Sequence, residues 1–101
     1  MGKTNDFTQP LKERKFSYKG GTDKTPRVLI TSQNQHQIRG FNIHYLSPKQ
    51  IGTVRNEWRK VQNQNWKTAT KERVVMNRLS KKVASAFRSY NANNITKEWT
   101  N

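Results

Sequence analysis

The chain has 101 residues, with 20 Lys or Arg against 6 Asp or Glu, for a formal charge of +14 at pH 7. Only 31% of residues are apolar and the mean hydropathy is −1.12, so any core is thin, yet the 10% aromatic content argues against a wholly disordered chain. With no cysteine there is no disulfide or thiolate metal site, and the longest apolar run, Val28-Leu29-Ile30, is far below the roughly 18 residues of a membrane span.

Residues 1–12 (MGKTNDFTQPLK) show no sustained period and read as a flexible basic arm. They lack the apolar stretch of a signal peptide, and Asp6 breaks the myristoylation pattern that Met1-Gly2 begins. Residues 13–101 are then expected to form one small domain. A chain of this size hides only about 60–65% of its unfolded surface, so a partner is expected to contribute to its stability.

Arg14 to Lys19 alternates, with Phe16 and Tyr18 on one side of a strand that Gly20-Gly21 ends. Arg27 to Thr31 has the β-branched content of a buried strand. Ser32 to Gln37 is polar and turn-like. Ile38 to Leu46 follows, with Phe41, Ile43 and Tyr45 on one face, Asn42 and His44 on the other, open to contact with bases or, the favoured reading, facing water, and Gly40 marking a bulge or a close backbone approach. Residues 14–46 are predicted to form an antiparallel β-meander, or a curled SH3-like barrel.

Ser47-Pro48-Lys49-Gln50 is the best-marked boundary in the chain. It offers a capping Ser, Pro at the first helical position and Gln at the third, and so predicts a helix over about 48–62. Ile51, Val54, Trp58 and Val61 recur within an arc of about 80° on that helix, leaving Arg55, Arg59 and Lys60 outside it. Thr70 is expected to cap a second helix over about 70–90, with Glu72 in its first turn. Val75, Leu79, Val83, Ala86, Phe87 and Tyr90 fall within about 120° on its wheel, opposite a basic face. Ile95 and Trp99 are expected to anchor the tail. The fold class is therefore α+β. The predicted core is Phe16, Tyr18, Val28, Ile30, Phe41, Ile43, Tyr45, Ile51, Val54, Trp58, Val75, Leu79, Val83 and Phe87.

The six acids, Asp6, Glu13, Asp23, Glu57, Glu72 and Glu98, form no pair spaced for acid/base work and no cluster for Mg²⁺. His36 and His44, on adjacent strands or at the hairpin turn and without a carboxylate neighbour, make a poor metal site. No phosphate-binding GxxxxGK[ST] loop or GxSxG turn occurs. The expectation is a non-enzyme with no cofactor and no metal.

The charge points instead to an anionic polymer, whose counterions are released when Lys and Arg replace them. Residues 1–47 hold 8 basic and 3 acidic side chains (+5), and residues 48–101 hold 12 and 3 (+9). On the second predicted helix Lys71, Arg78 and Lys82 lie within about 40°, flanked by Lys81, without acids at i±4 to balance them. Arg55, Arg59 and Lys60 extend the field if the helices sit side by side. The same pattern also reads as a solvated helix face. Trp66, beside Lys67, offers a ring for stacking on an unpaired base, though closure of the interhelical turn is an equal use for it.

The stretch Arg27-Val28-Leu29-Ile30 through Gly40-Phe41-Asn42-Ile43-His44-Tyr45-Leu46-Ser47-Pro48 resembles small proteins of T4-like tailed phages known as DNA end protectors. In those an apolar strand and short turn precede a Gly-Leu-Asn-Leu-His-Tyr-Leu-Pro-Pro type segment and a helix. Phe87-Arg88-Ser89-Tyr90 to Ile95 resembles their later basic, Tyr-containing stretch. This chain has Ser47-Pro48 where the pattern has two prolines. The resemblance implies a phage origin and a binding role on DNA or in the virion, without identifying which. DNA is therefore favoured over RNA as the partner, and the lack of a signal peptide or membrane span leads to the expectation of the host cytoplasm or the virion, with no membrane partner. Two alternatives stand beside it. The order strand, helix, helix also fits a ribbon-helix-helix transcriptional regulator, and a small basic protein can instead dock on and inhibit a host protein complex.

Overall fold

The computed structural model describes residues 11–99. Its elements are β1 (Lys12–Tyr18), β2 (Arg27–Gln33), β3 (Gln37–Asn42), α1 (Pro48–Val61), α2 (Thr68–Arg78), a single-turn α3 (Lys81–Ala84), β4 (Phe87–Asn91) and β5 (Ile95–Trp99). Short 3-10 turns at Ile43–Tyr45 and Ala92–Asn94 punctuate them. The strands form one antiparallel sheet in the order β4-β3-β2-β1-β5. The chain is an α+β protein, as its residue pattern predicts.

The run Val28-Leu29-Ile30 is continuous in apolar character because both faces of β2 are covered. Alternation along the strand sends Leu29 to one side and Val28 and Ile30 to the other. Leu29 joins Phe41, Val54, Trp58, Val61, Val75, Val83 and Ala86 in a core between the sheet and the helices. Val28 joins Phe16, Ile38 and Tyr90, with Tyr18, Ile30 and Ile95 packed around them, in a second core on the concave face. The Tyr90 ring of β4 lies 5.4 Å from Phe16 and 5.1 Å from Tyr18 of β1, both edge-to-face. Strands separated by two others in the hydrogen-bonded order thus meet through their side chains, and the sheet curls into a half-barrel.

The capping signal at Ser47 is realised in full. Its Oγ accepts from the Gln50 amide at 3.1 Å, and the Gln50 side chain accepts from the Ser47 amide at 2.8 Å. Helix α1 turns Val54, Trp58 and Val61 inward, with Ile51 half-buried.

The predicted second helix differs from what forms. It starts at Thr68, capped by Lys67 without a side-chain bond, and stops at Leu79, whose ψ of 154° is extended. Ser80 then caps α3 by accepting from the Val83 amide at 3.3 Å. Residues 87–90, expected as the end of that helix, lie in strand β4. Helical spacing would have put Phe87 and Tyr90 on one face; in the strand they face opposite sides. Phe87 packs against the helix-side core and its ring meets Phe41 at 5.1 Å, whereas Tyr90 fills the concave core. The tail packs back as expected, through β5 on β1.

Three further readings are corrected. β3 ends at Asn42, not Leu46, so Tyr45 leaves the sheet and is 43% exposed instead of buried. Asn42, expected to face water, is wholly buried. The arm gives up its last two residues, because Leu11 belongs to the core and Lys12 pairs with Ile30; the rest of it, residues 1–10, lies outside the described residues.

Candidate functional site

The cations singled out on the second helix do not share one helical face, because the break at Leu79 puts Arg78 at the end of α2 and Lys81 and Lys82 in α3. All three are exposed. Lys71 is half-buried and turned inward: its Nζ donates to the Gln62 carbonyl at 2.8 Å, satisfying a backbone oxygen at the end of α1. Arg55 is likewise used in the fold, donating from Nη1 to the Leu11 carbonyl at 2.7 Å. Lys60 pairs with Glu57 one turn back at 3.1 Å, and Arg59 is exposed. Trp66, in the link between α1 and α2, is 42% exposed. Arg73 belongs with the exposed group but was not singled out in the sequence; it lies just over half a turn from Lys71, off the buried Glu72–Val75 stripe of α2.

The acids show why this surplus is not neutralised. Glu13 pairs with Arg27 at 2.5 Å, Glu57 with Lys60, and Glu98 with Arg14. Glu72, expected to serve the first helical turn, is instead buried. It accepts from Arg39 of β3 at 3.0 Å and from the Thr31 hydroxyl of β2 at 2.5 Å, so it ties α2 to the sheet. Asp23 faces His44 at 2.7 Å. Every carboxylate among the described residues is thereby committed to a partner within the fold.

Sequence reasoning missed a second feature altogether. A cleft of about 440 Å³ opens between the Gly20–Asp23 loop, the turn after β3 and strand β4, lined by Tyr18, Thr22, Asp23, Tyr45, Arg88 and Tyr90 among others. Two of its lining residues, Asp23 and Tyr90, belong to a polar network around the buried Asn42. The Asn42 Nδ2 donates to Asp23 Oδ2 at 2.9 Å and to the Tyr90 hydroxyl at 3.2 Å, while its Oδ1 accepts from the His44 amide at 3.0 Å. The Thr25 amide donates to Asp23 Oδ1 at 3.1 Å. Partial burial pushes the Asp23 carboxyl up, but the bonds from Asn42, His44 and Thr25 outweigh it and hold it below the usual 3.8. Burial pushes the Tyr90 hydroxyl up to about 12, against the lowering effect of Asn42. The exposed Arg88 guanidinium lies 5.2 Å from the centre of the exposed Tyr45 ring.

His44 therefore has the carboxylate neighbour that the sequence did not reveal, but His36 sits apart in the exposed β2–β3 turn. No group of three potential metal ligands occurs among the described residues, and no described helix is long and apolar enough to cross a membrane. The ribbon-helix-helix alternative fails on topology: β3 lies between β2 and β4, with neither edge free for a strand-mediated dimer. No protein-family model, curated protein or solved structure matches the chain.

Proposed function

We propose that this is a non-catalytic, phage-type nucleic-acid-binding protein that contacts phosphates through the exposed cations of α2, α3 and the outer face of α1, acting on DNA in the host cytoplasm or the virion. The observation that supports the reading most is the unequal use of charge. The described acids are all consumed by partners in the fold, whereas Arg59, Arg73, Arg78, Lys81 and Lys82 stand exposed with no carboxylate among the described residues facing them. Such a surface gains most by displacing counterions condensed on a phosphate backbone. Arg55, Lys60 and Lys71 are supporting charges in this reading, since each also holds a partner in the fold.

A salt titration of DNA binding by fluorescence anisotropy tests this, with duplex, single strand and RNA compared. Binding is expected to weaken linearly on a log–log scale, and the Arg78→Ala, Lys81→Ala, Lys82→Ala triple variant to flatten the slope by up to about three phosphate contacts. Absence of binding at low salt, or an unchanged slope in the triple variant, overturns the assignment. The first of these outcomes returns the basic surface to an acidic protein partner.

A further inference from the structure

None of the cations just described lines the cleft, and neither the salt slope nor the helix surface requires it. Its charges differ in exposure. A carboxylate, Asp23, with 18% of its side chain exposed, lines it together with an exposed guanidinium, Arg88, which lies over an exposed aromatic ring, Tyr45. A phosphate is repelled by the sheltered carboxylate and attracted to the exposed guanidinium. A flat heteroaromatic group carrying amino donors suits the interior, because it can stack on Tyr45 or on the guanidinium plane while its polar edge meets hydroxyls and the carboxylate. The volume of about 440 Å³ falls in the range of roughly 300–1,000 Å³ that small-ligand sites occupy.

We infer that this cleft is a subsite for one unpaired nucleobase, stacked against Tyr45 and Arg88 with its phosphate beside that exposed guanidinium. Thr22 and Tyr90, both lining the cleft, carry hydroxyls: the Thr22 Oγ1 lies 3.5 Å from the Tyr45 hydroxyl, and the Tyr90 hydroxyl, accepting from Asn42, keeps its own proton for an acceptor. Gly21, at φ 70° and with nothing within 4 Å of where a β-carbon would sit, leaves the loop side of the entrance open. A base inside a duplex has both faces covered and cannot enter, so the cleft makes the protein prefer unpaired over paired strands.

The inference rests on the nucleic-acid reading above, and its test separates the two. Affinities for a single-stranded oligonucleotide and for the blunt duplex of the same sequence are measured at one salt concentration, for the natural protein and for Tyr45→Ala, Tyr45→Phe and Arg88→Ala. Tyr45→Ala is expected to weaken single-strand binding by about tenfold while leaving duplex binding unchanged, and Tyr45→Phe to retain it, since the ring and not the hydroxyl stacks. Arg88→Ala is expected to reduce the same preference. Because Tyr45 is 43% exposed, its removal leaves the cores intact, which the melting curve of the variant verifies. A ratio of single-strand to duplex affinity that Tyr45→Ala leaves unchanged overturns the subsite while the phosphate surface stands. Failure of the natural protein to bind either strand form overturns both.

Discussion

Gly40 of β3 passes so close beneath Leu29 of β2 that a β-carbon at Gly40 would sit 2.1 Å from the Leu29 carbonyl oxygen and 2.7 Å from Val28 Cγ1. The obstruction is backbone in the central strand pair, which has no room to yield. It coincides with the register shift between Ile30 and Ser32, where β2 carries an extra residue opposite the Gly40-Arg39 step. Gly40→Ala is therefore expected to cost about 3 kcal/mol or more, at the upper end for overpacking. Urea denaturation checks it; a loss below about 1 kcal/mol means that the strands can separate locally without penalty.

How much of this was readable from the residues depends on how local the signal is. The Ser47 cap was legible because both halves of its exchange lie within four residues. The Gly40 contact was legible as an interruption in an alternating strand. The break at Leu79 was hidden, because Val75 and Leu79 before it and Val83 and Ala86 after it all pack against one core, so helical spacing of apolar residues survives a change of direction. Ser80 was the available clue, since a hydroxyl three residues before Val83 is also a helix cap. The cleft had no such clue. Asp23, Asn42 and Tyr90 are 19 and 48 residues apart along the chain, and only the curl of the sheet brings them together.

The Glu72–Arg39 pair is unequally buried, with 5% of the Glu72 side chain and 35% of the Arg39 side chain exposed. Removing the acid leaves a cation partly screened by water, while removing the cation leaves a carboxylate in the core. Arg39→Met is therefore expected to destabilise more than Glu72→Leu, toward the roughly 3–5 kcal/mol of a broken buried pair. The double replacement is expected to recover most of the loss. Chemical denaturation of the three variants tests the order, and a double variant as weak as the sum of the singles rejects the coupling.

Asp23 gives the acid limb of the stability profile a defined sign. Its carboxyl is held below 3.8 in the folded state, so the charged form is favoured by folding. That contribution is complete above the unfolded value and is lost as pH falls through the lower folded one. Asp23→Asn is expected to be less stable than the natural protein at pH 7, with the gap closing as the pH drops below 3.8. Denaturation midpoints from pH 7 to pH 2 measure it, and a gap independent of pH removes Asp23 from the account.

Tyr90 sets the opposite limb. Burial against Phe16 and Tyr18 raises its hydroxyl to about 12, so the neutral form is the one that folding favours. The contribution is complete below the ordinary value of 10 and disappears as pH rises through the folded value. Tyr90→Phe is expected to cost about 1 kcal/mol at pH 8, from the hydrogen bond it no longer accepts from Asn42. Between pH 10 and pH 12 the natural protein is expected to lose more stability than the Phe variant, because only the former has a phenol that ionises more readily unfolded. Lysines titrate over the same interval in both proteins, so the informative quantity is the difference between the two curves. Curves that run parallel from pH 8 to pH 12 show that the phenol is free to ionise in the folded state, which its place in the concave core does not allow.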